Sequence, residues 1–264
     1  MNALAKVEAP AREDVLRELN LYPLWRLRVP VAAVAPQVLP EATPVTMLQQ
    51  EPVVTKEAQA AIVVSPPADP GNLGWAELKK KVKTCSACKL RAGCIQTVFG
   101  SGDENADWLF VGSWPTEDDE ASGEPFAGQA GQLLDNMLAA IQLKRGENVY
   151  LANVVKCSGS IKTGPGAEEI AQCSSYLARQ IALLQPKIIV ALGHAAATAL
   201  LGEDREWVSL LGKVHEFSGF ENAKSQQAIP LIITHHPAAL LLTPKNKAQA
   251  WRDLCLARDT MRNL

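Results

Sequence analysis

Val149–Cys157 reads VYLANVVKC, and this stretch decides the fold. Val149–Val155 (VYLANVV) is apolar enough to lie inside a sheet, broken only by the amide of Asn153, and it leads to a thiol at Cys157. A short apolar run with no polar alternation is the pattern of a strand covered on both faces, which is the parallel-sheet case. Similar runs flank it: Asp107–Gly112 (DWLFVG), Lys187–Leu192 (KIIVAL) and Ile229–Thr234 (IPLIIT). Val214–Ser218 reads as a minor strand. Between the strands, helical spacing is predicted over Trp75–Thr84, Gln132–Leu143, Ala167–Leu184, Ala195–Leu201 and Lys247–Met261. Strands alternating with helices predict an α/β fold, a three-layer α/β/α sandwich on a central, mainly parallel, four-stranded sheet. Ligands of such sheets bind beyond the carboxyl ends of the strands. The loops after Gly112, Val155 and Thr234 are therefore where chemistry is expected.

Outward from this core the chain changes character. Of 17 prolines, ten precede Gly71. Residues 29–73 mix Pro, Ala, Val and Thr without a period and read as a disordered linker. Ahead of it, Arg12–Arg28 (REDVLRELNLYPLWRLR) carries helical spacing over about Glu13–Asn20, then Leu24, Trp25 and Leu27 among arginines. Such apolar anchors have no core of their own to enter, and Trp and Arg are enriched at binding hot spots. This gives three expected regions: a partner-binding tail (1–28), the linker (29–73) and a globular domain (74–264).

The formal net charge is −2 over 264 residues. That balance argues against strong, non-specific gripping of phosphates, though it leaves room for a local basic patch. Neither a leader segment nor a membrane-length apolar run is read in the sequence, which points to a soluble, intracellular protein. Six cysteines in that compartment point to metal or cluster binding before disulfides. Cys85 and Cys88 form a C-x-x-C pair, Cys157 follows the second strand, and Cys173 lies on the next helix. Four thiolates from two chain regions suit either an iron–sulfur cluster or zinc, and spacing does not separate the two. Cys94 and Cys255 are surplus and read as small buried hydrophobes, with Cys94 able to substitute for a neighbour.

Taken together, CSACKL (85–90), VFGSG (98–102), LFVG (109–112), GEPFAGQAGQLLD (123–135), NVVKC (153–157), PGAEEIAQCSSYLARQI (165–181), IIVALG (188–193) and HHPAALLL (235–242) resemble the family 4 uracil-DNA glycosylases. The resemblance implies a [4Fe–4S] cluster on Cys85, Cys88, Cys157 and Cys173. It implies hydrolysis of the glycosidic bond of a flipped-out uracil. Phe126 would stack on the base, Asn153 would read its edge, and His236 would stabilise the departing anion. Two departures stand out. The family's Gly-Glu-Ala-Pro-Gly motif here reads Gly112-Ser113-Trp114-Pro115-Thr116, so Ser113 replaces the acid that activates water, and Trp114 brings bulk that could fill the pocket. Glu117, Asp118 and Asp119 remain nearby as candidate replacements. The loop after Cys157 reads SGSIKTG instead of an Arg-Pro-Pro run, and Leu242 stands where an arginine is usual.

The tail LRELNLYPLWRLRVP (16–30) resembles the N-terminus of the psi subunit of the bacterial DNA polymerase III clamp loader. Leu19, Leu21, Trp25, Leu27 and Arg28 would then dock on the clamp-loader collar, and the body would bind the chi subunit. The favoured expectation is a cytoplasmic, nucleoid-associated, psi-like replisome connector whose glycosylase activity is weakened or lost. The alternative is an active family 4 glycosylase of base excision repair. A third reading is a cluster-bearing repair accessory with another partner.

Overall fold

A computed structural model describes residues 70–159, 164–220 and 223–264. The tail, with Leu19, Leu21, Trp25, Leu27 and Arg28, and nearly all of the linker lie outside the described residues, as do positions 160–163 of the loop after Cys157. Among the described residues, no helix is long and apolar enough to cross a membrane.

The elements in chain order are α1 (Trp75–Lys83), a 3-10 turn (Lys89–Gly93), β1 (Ser101–Gly102), β2 (Trp108–Gly112), α2 (Glu117–Ser122), α3 (Gly128–Ala140), β3 (Val149–Asn153), α4 (Ala167–Leu184), β4 (Ile188–Leu192), α5 (His194–Leu201), α6 (Trp207–Leu210), β5 (Val214–Phe220), β6 (Ala223–Thr234), α7 (Pro237–Leu242), a second 3-10 turn (Pro244–Asn246) and α8 (Lys247–Arg262). They form one sheet in the order β1-β3-β2-β4-β6-β5. The four expected strands are its parallel centre, β3-β2-β4-β6. The sheet is wider than the four strands expected, because β1 and β5 add antiparallel edges. Ser101–Gly102 was missed because two residues carry no period. β6 also begins earlier than its apolar part, because Ala223–Gln227 pairs with β5 as a hairpin arm.

The central strands are buried on both sides, and the period of two divides their side chains between two cores. Leu109, Val111, Tyr150, Ala152, Ile189, Ala191, Leu231 and Ile233 face α1, α4 and α5. Trp108, Phe110, Val149, Leu151, Ile188, Val190, Leu192 and Ile232 face α3, α7 and α8. The amphipathic helices cover these faces, with Leu177 and Ile181 of α4 on one and Leu134 and Leu138 of α3 on the other. Phe110 is wholly buried at the middle of β2. Truncating it to alanine should cost about 3–5 kcal/mol of folding stability, measured by urea denaturation.

Candidate active site

The parallel register of β2 and β3 pairs Gly112 with Asn153 at their carboxyl ends. A β-carbon at Gly112 would overlap Asn153 Oδ1 and lie 2.6 Å from Phe126 Cζ. Only a glycine lets the amide and the ring meet there. Asn153 is 1% exposed, and both its Oδ1 and Nδ2 are buried without a hydrogen-bond partner. Buried polar atoms are nearly always paired, and this amide is an exception, with both a donor and an acceptor left open.

Phe126 is held over that spot in a left-handed backbone conformation, at φ 58°. Three groups support this strained residue. Arg145 donates from Nη1 to Pro125 O (2.9 Å) and from Nη2 to Phe126 O (3.1 Å), while its Nε donates to Asp135 (2.8 Å). Asp119 accepts from Thr116 N (2.9 Å) and Ala127 N (2.6 Å), tying the start of α2 to the residue after Phe126. Gly131 passes so close to Phe126 O that no side chain fits there.

His236 caps α7, and its Nδ1 accepts from Ala238 N at 3.2 Å. Burial pushes its pKa down to about 4. The ring is therefore neutral near pH 7, and since Nδ1 accepts, the proton sits on Nε2. Its ring centroid lies 5.7 Å from that of Phe126. Beside His236 opens a cavity of about 490 Å³, and the buried Asn153 and Phe126 lie behind its lining. Its walls come from the loop after β2 (Ser113, Trp114, Thr116), the start of α5 (His194) and the loop after β6 (His235, His236), with Trp207 beside them. His235 and His194 both meet Trp207 edge-on, at 5.2 and 5.6 Å.

Trp114 forms a cavity wall, with its ring against Gly164, where a β-carbon would stand 3.0 Å from its tip. Asp119 is no substitute for the missing acid, because its carboxylate is 3% exposed and committed to two backbone amides. Glu117 and Asp118 are exposed, and neither lines the cavity, so among the described residues no carboxylate faces it. Leu242 is 86% exposed at the end of α7.

The four cysteines gather behind β3. Cys157 and Cys173 are buried, and Cys85 and Cys88 are partly so. Burial pushes the Cys173 thiol up to about 12, with the charges of Cys88 and Cys85 adding to the rise. Cys157 is raised by burial and by its neighbours Cys94, Cys173 and Cys88. Yet among the described residues no three His, Cys, Asp or Glu side chains converge as ligands of one metal ion. By donor chemistry alone, four cysteines suit both an iron–sulfur cluster and zinc.

Cys94 is more than a small hydrophobe. It donates to Gln96 O (3.1 Å) and lies within hydrogen-bond reach of Glu120 and Cys157. Glu120, 2% exposed, accepts from Ile95 N (3.0 Å) and Ser158 N (2.7 Å). Burial raises its pKa, but these donors and Cys94 outweigh it, and the net direction is down. Lys89 pairs with Glu169 at 2.9 Å and so fastens the C-x-x-C turn to α4, which carries Cys173. Cys255 is partly buried on α8. Lys156, 1% exposed, donates to Asn153 O (2.7 Å) and Gln180 Oε1 (2.6 Å), and burial brings its pKa down to about 8. Sequence reasoning missed Lys156, Glu120 and Arg145. Only the placement of Lys156 between Asn153 and Cys157 hinted at a role.

The depressed His236 pKa has a measurable sign. The unfolded chain takes up this proton near its ordinary value of 6.5, whereas the folded protein resists it down to about 4. Stability contributed by the neutral ring is present above pH 6.5 and declines as pH falls toward 4. Denaturation at pH 7, 5.5 and 4.5 should show a shallower loss in His236→Ala than in the unaltered protein.

Comparison with known proteins gives the family. The sequence pattern of the Uracil DNA glycosylase superfamily matches residues 99–255. The chain is 36% identical over 173 residues to the type-4 uracil-DNA glycosylase of Archaeoglobus fulgidus, covering 64% of this chain and 84% of that one. It is 34% identical over 186 residues to the type-4 enzyme of Pyrobaculum aerophilum, covering 68% and 91%. To the type-4 enzyme of Thermotoga maritima it is 34% identical over 171 residues, covering 64% and 84%. The matched region spans β2, β3, β4 and β6 and every group around the cavity, and the chain belongs to the uracil DNA glycosylase superfamily.

Proposed function

We propose that the protein removes uracil from DNA by hydrolysing the N-glycosidic bond, as a type-4 glycosylase, with turnover slowed by the loss of the acid at Ser113. The observation that carries this is the open amide of Asn153, which meets the strained Phe126 at Gly112, with the neutral His236 5.7 Å from the Phe126 ring. Extruded uracil would stack on Phe126. Asn153 Nδ2 would donate to a uracil carbonyl, and Oδ1 would accept from the ring N–H. His236 Nε2–H would donate to the oxygen on which negative charge develops as the base leaves. Because that histidine starts neutral, it stabilises the anion without first surrendering a proton.

Water activation is the weak step. Ser113 lines the cavity but has no basicity near neutral pH, and among the described residues no carboxylate lines the cavity in its place. Cys85, Cys88, Cys157 and Cys173 would hold a [4Fe–4S] cluster, which supplies a covalent pin between the C-x-x-C turn, the end of β3 and α4. Zinc is the alternative that the same four thiols accept. The names of the relatives favour the glycosylase over the psi-like connector, and no comparison supports docking on the clamp loader or the chi subunit.

The test is a uracil-containing single strand incubated with purified protein and assayed for abasic sites. Slow but catalytic release is expected, falling a further hundredfold or so in His236→Ala. Restoring the acid as Ser113→Glu should raise kcat by roughly tenfold or more. Complete inactivity of the unaltered protein and of Ser113→Glu would defeat the proposal.

A further inference from the structure

The cavity beside His236 offers more room than the reaction uses. Its volume of about 490 Å³ is in the range that takes a drug-sized ligand, more than one pyrimidine ring fills. Asn153 and Phe126, which would hold the uracil, lie behind its lining. Two indoles from separate segments stand on its wall, Trp114 after β2 and Trp207 at the start of α6. Both are partly buried against the core.

The Trp207 ring is held in place. His235 meets it at 5.2 Å and 77°, and His194 at 5.6 Å and 74°. His194 Nε2 in turn lies 3.0 Å from Arg205 O and 3.2 Å from Asp204 Oδ1, which fastens it to the segment just ahead of α6. Trp114 is backed by Gly164, whose missing side chain leaves space for the indole.

The chemistry of the lining selects the occupant. Among the described residues, no lysine, arginine or carboxylate lines this cavity. Phosphate recognition rests on cations, so the wall does not suit the strand's backbone. A fixed, uncharged aromatic wall suits a flat neutral ring, and a nucleobase of any sequence has a face to stack on it. Position narrows the choice further. Ser113 follows Gly112, where Asn153 meets Phe126, and His236 both lines the cavity and approaches the Phe126 ring. A strand that delivers uracil to Asn153 therefore passes this opening, and its nearest other flat rings are the bases adjoining the uracil.

We propose that the cavity is a second base subsite, in which a nucleobase next to the target uracil stacks on Trp207, and that the substrate is uracil in single-stranded DNA. The proposal rests on the glycosylase reading of the Asn153 site. In a duplex the neighbouring base is paired and stacked, and freeing it adds to the cost of extruding the uracil. In a single strand that cost nearly vanishes.

The test is equilibrium binding of fluorescently labelled single strands to the full chain, read by anisotropy at one salt concentration. Each strand carries one uracil as the cleavage-resistant 2′-fluoro nucleoside. Its neighbours are intact or replaced by abasic analogues on the 5′ side, the 3′ side or both. Stripping the base that occupies the subsite should weaken binding to the unaltered protein about tenfold, the loss of one base–aromatic stack. Trp207→Ala should bind the intact strand about tenfold more weakly and be indifferent to stripping, while Trp207→Phe keeps most of the affinity and the dependence. With the uracil in a duplex, binding should be weaker and Trp207→Ala should change it less.

Equal affinity of the unaltered protein for intact and stripped strands would overturn the proposal, and this comparison holds even if Trp207→Ala fails to fold. An equal loss on both strands in Trp207→Ala would also overturn it, marking Trp207 as a structural wall only. Uracil release from ordinary deoxyuridine strands is assayed in parallel. Neighbour-dependent binding without release would defeat the glycosylase reading and leave the subsite standing, whereas release without neighbour dependence would do the reverse. Absence of binding to every strand would overturn both.

Discussion

The parallel pairing of Gly112 with Asn153 is the constraint on which the site depends. Slipping the register by one residue would turn Asn153 toward the opposite face of the sheet. It would also set a bulky neighbour where only a hydrogen fits. The pairing continues past the strands, because Val154 and Val155 donate to Gly112 O and Ser113 O at 2.9 and 3.0 Å. These bonds bring the loop bearing Ser113 and Trp114 alongside the segment leading to Cys157. Pocket and cysteine site are thus consecutive parts of one paired backbone.

Strain is concentrated where this backbone meets the ligand space. Phe126 takes a left-handed conformation that a bulky side chain seldom adopts, and such residues persist only when their surroundings over-determine them. Arg145 and Asp119 do this from opposite sides, one through carbonyl acceptors and the other through amide donors. A carboxylate in that service is lost to proton transfer. The crowding of acids after Thr116 therefore stabilises the loop and the start of α2 without restoring a general base.

The parallel centre of the sheet was legible because strands buried on both faces must be continuously apolar, and β2, β3 and β4 are buried at every position. The edges were less so, since β1 has two residues and β5 is largely exposed. Phe126, Asn153 and His236 were legible only through resemblance; nothing in an isolated Asn predicts an unpaired amide. Lys156, Glu120 and Asp119 were hidden for a physical reason. Charged residues are usually solvated, and only three-dimensional placement shows that these three sit inside with specific partners.

That placement bears on whether the body is a working pocket or a remnant. An unpaired buried amide costs about 1–3 kcal/mol, and a strained Phe costs a similar amount. A body retained only to connect other proteins would gain stability by replacing either. Loss of the acid at Ser113 weighs less than it first suggests. General-base assistance and electrostatic stabilisation of the leaving group each contribute factors of about 10² or more, and removing one leaves the other in place. With His236 neutral and its Nδ1 taken up by the Ala238 amide, its Nε2–H stays available to a group entering the cavity it lines.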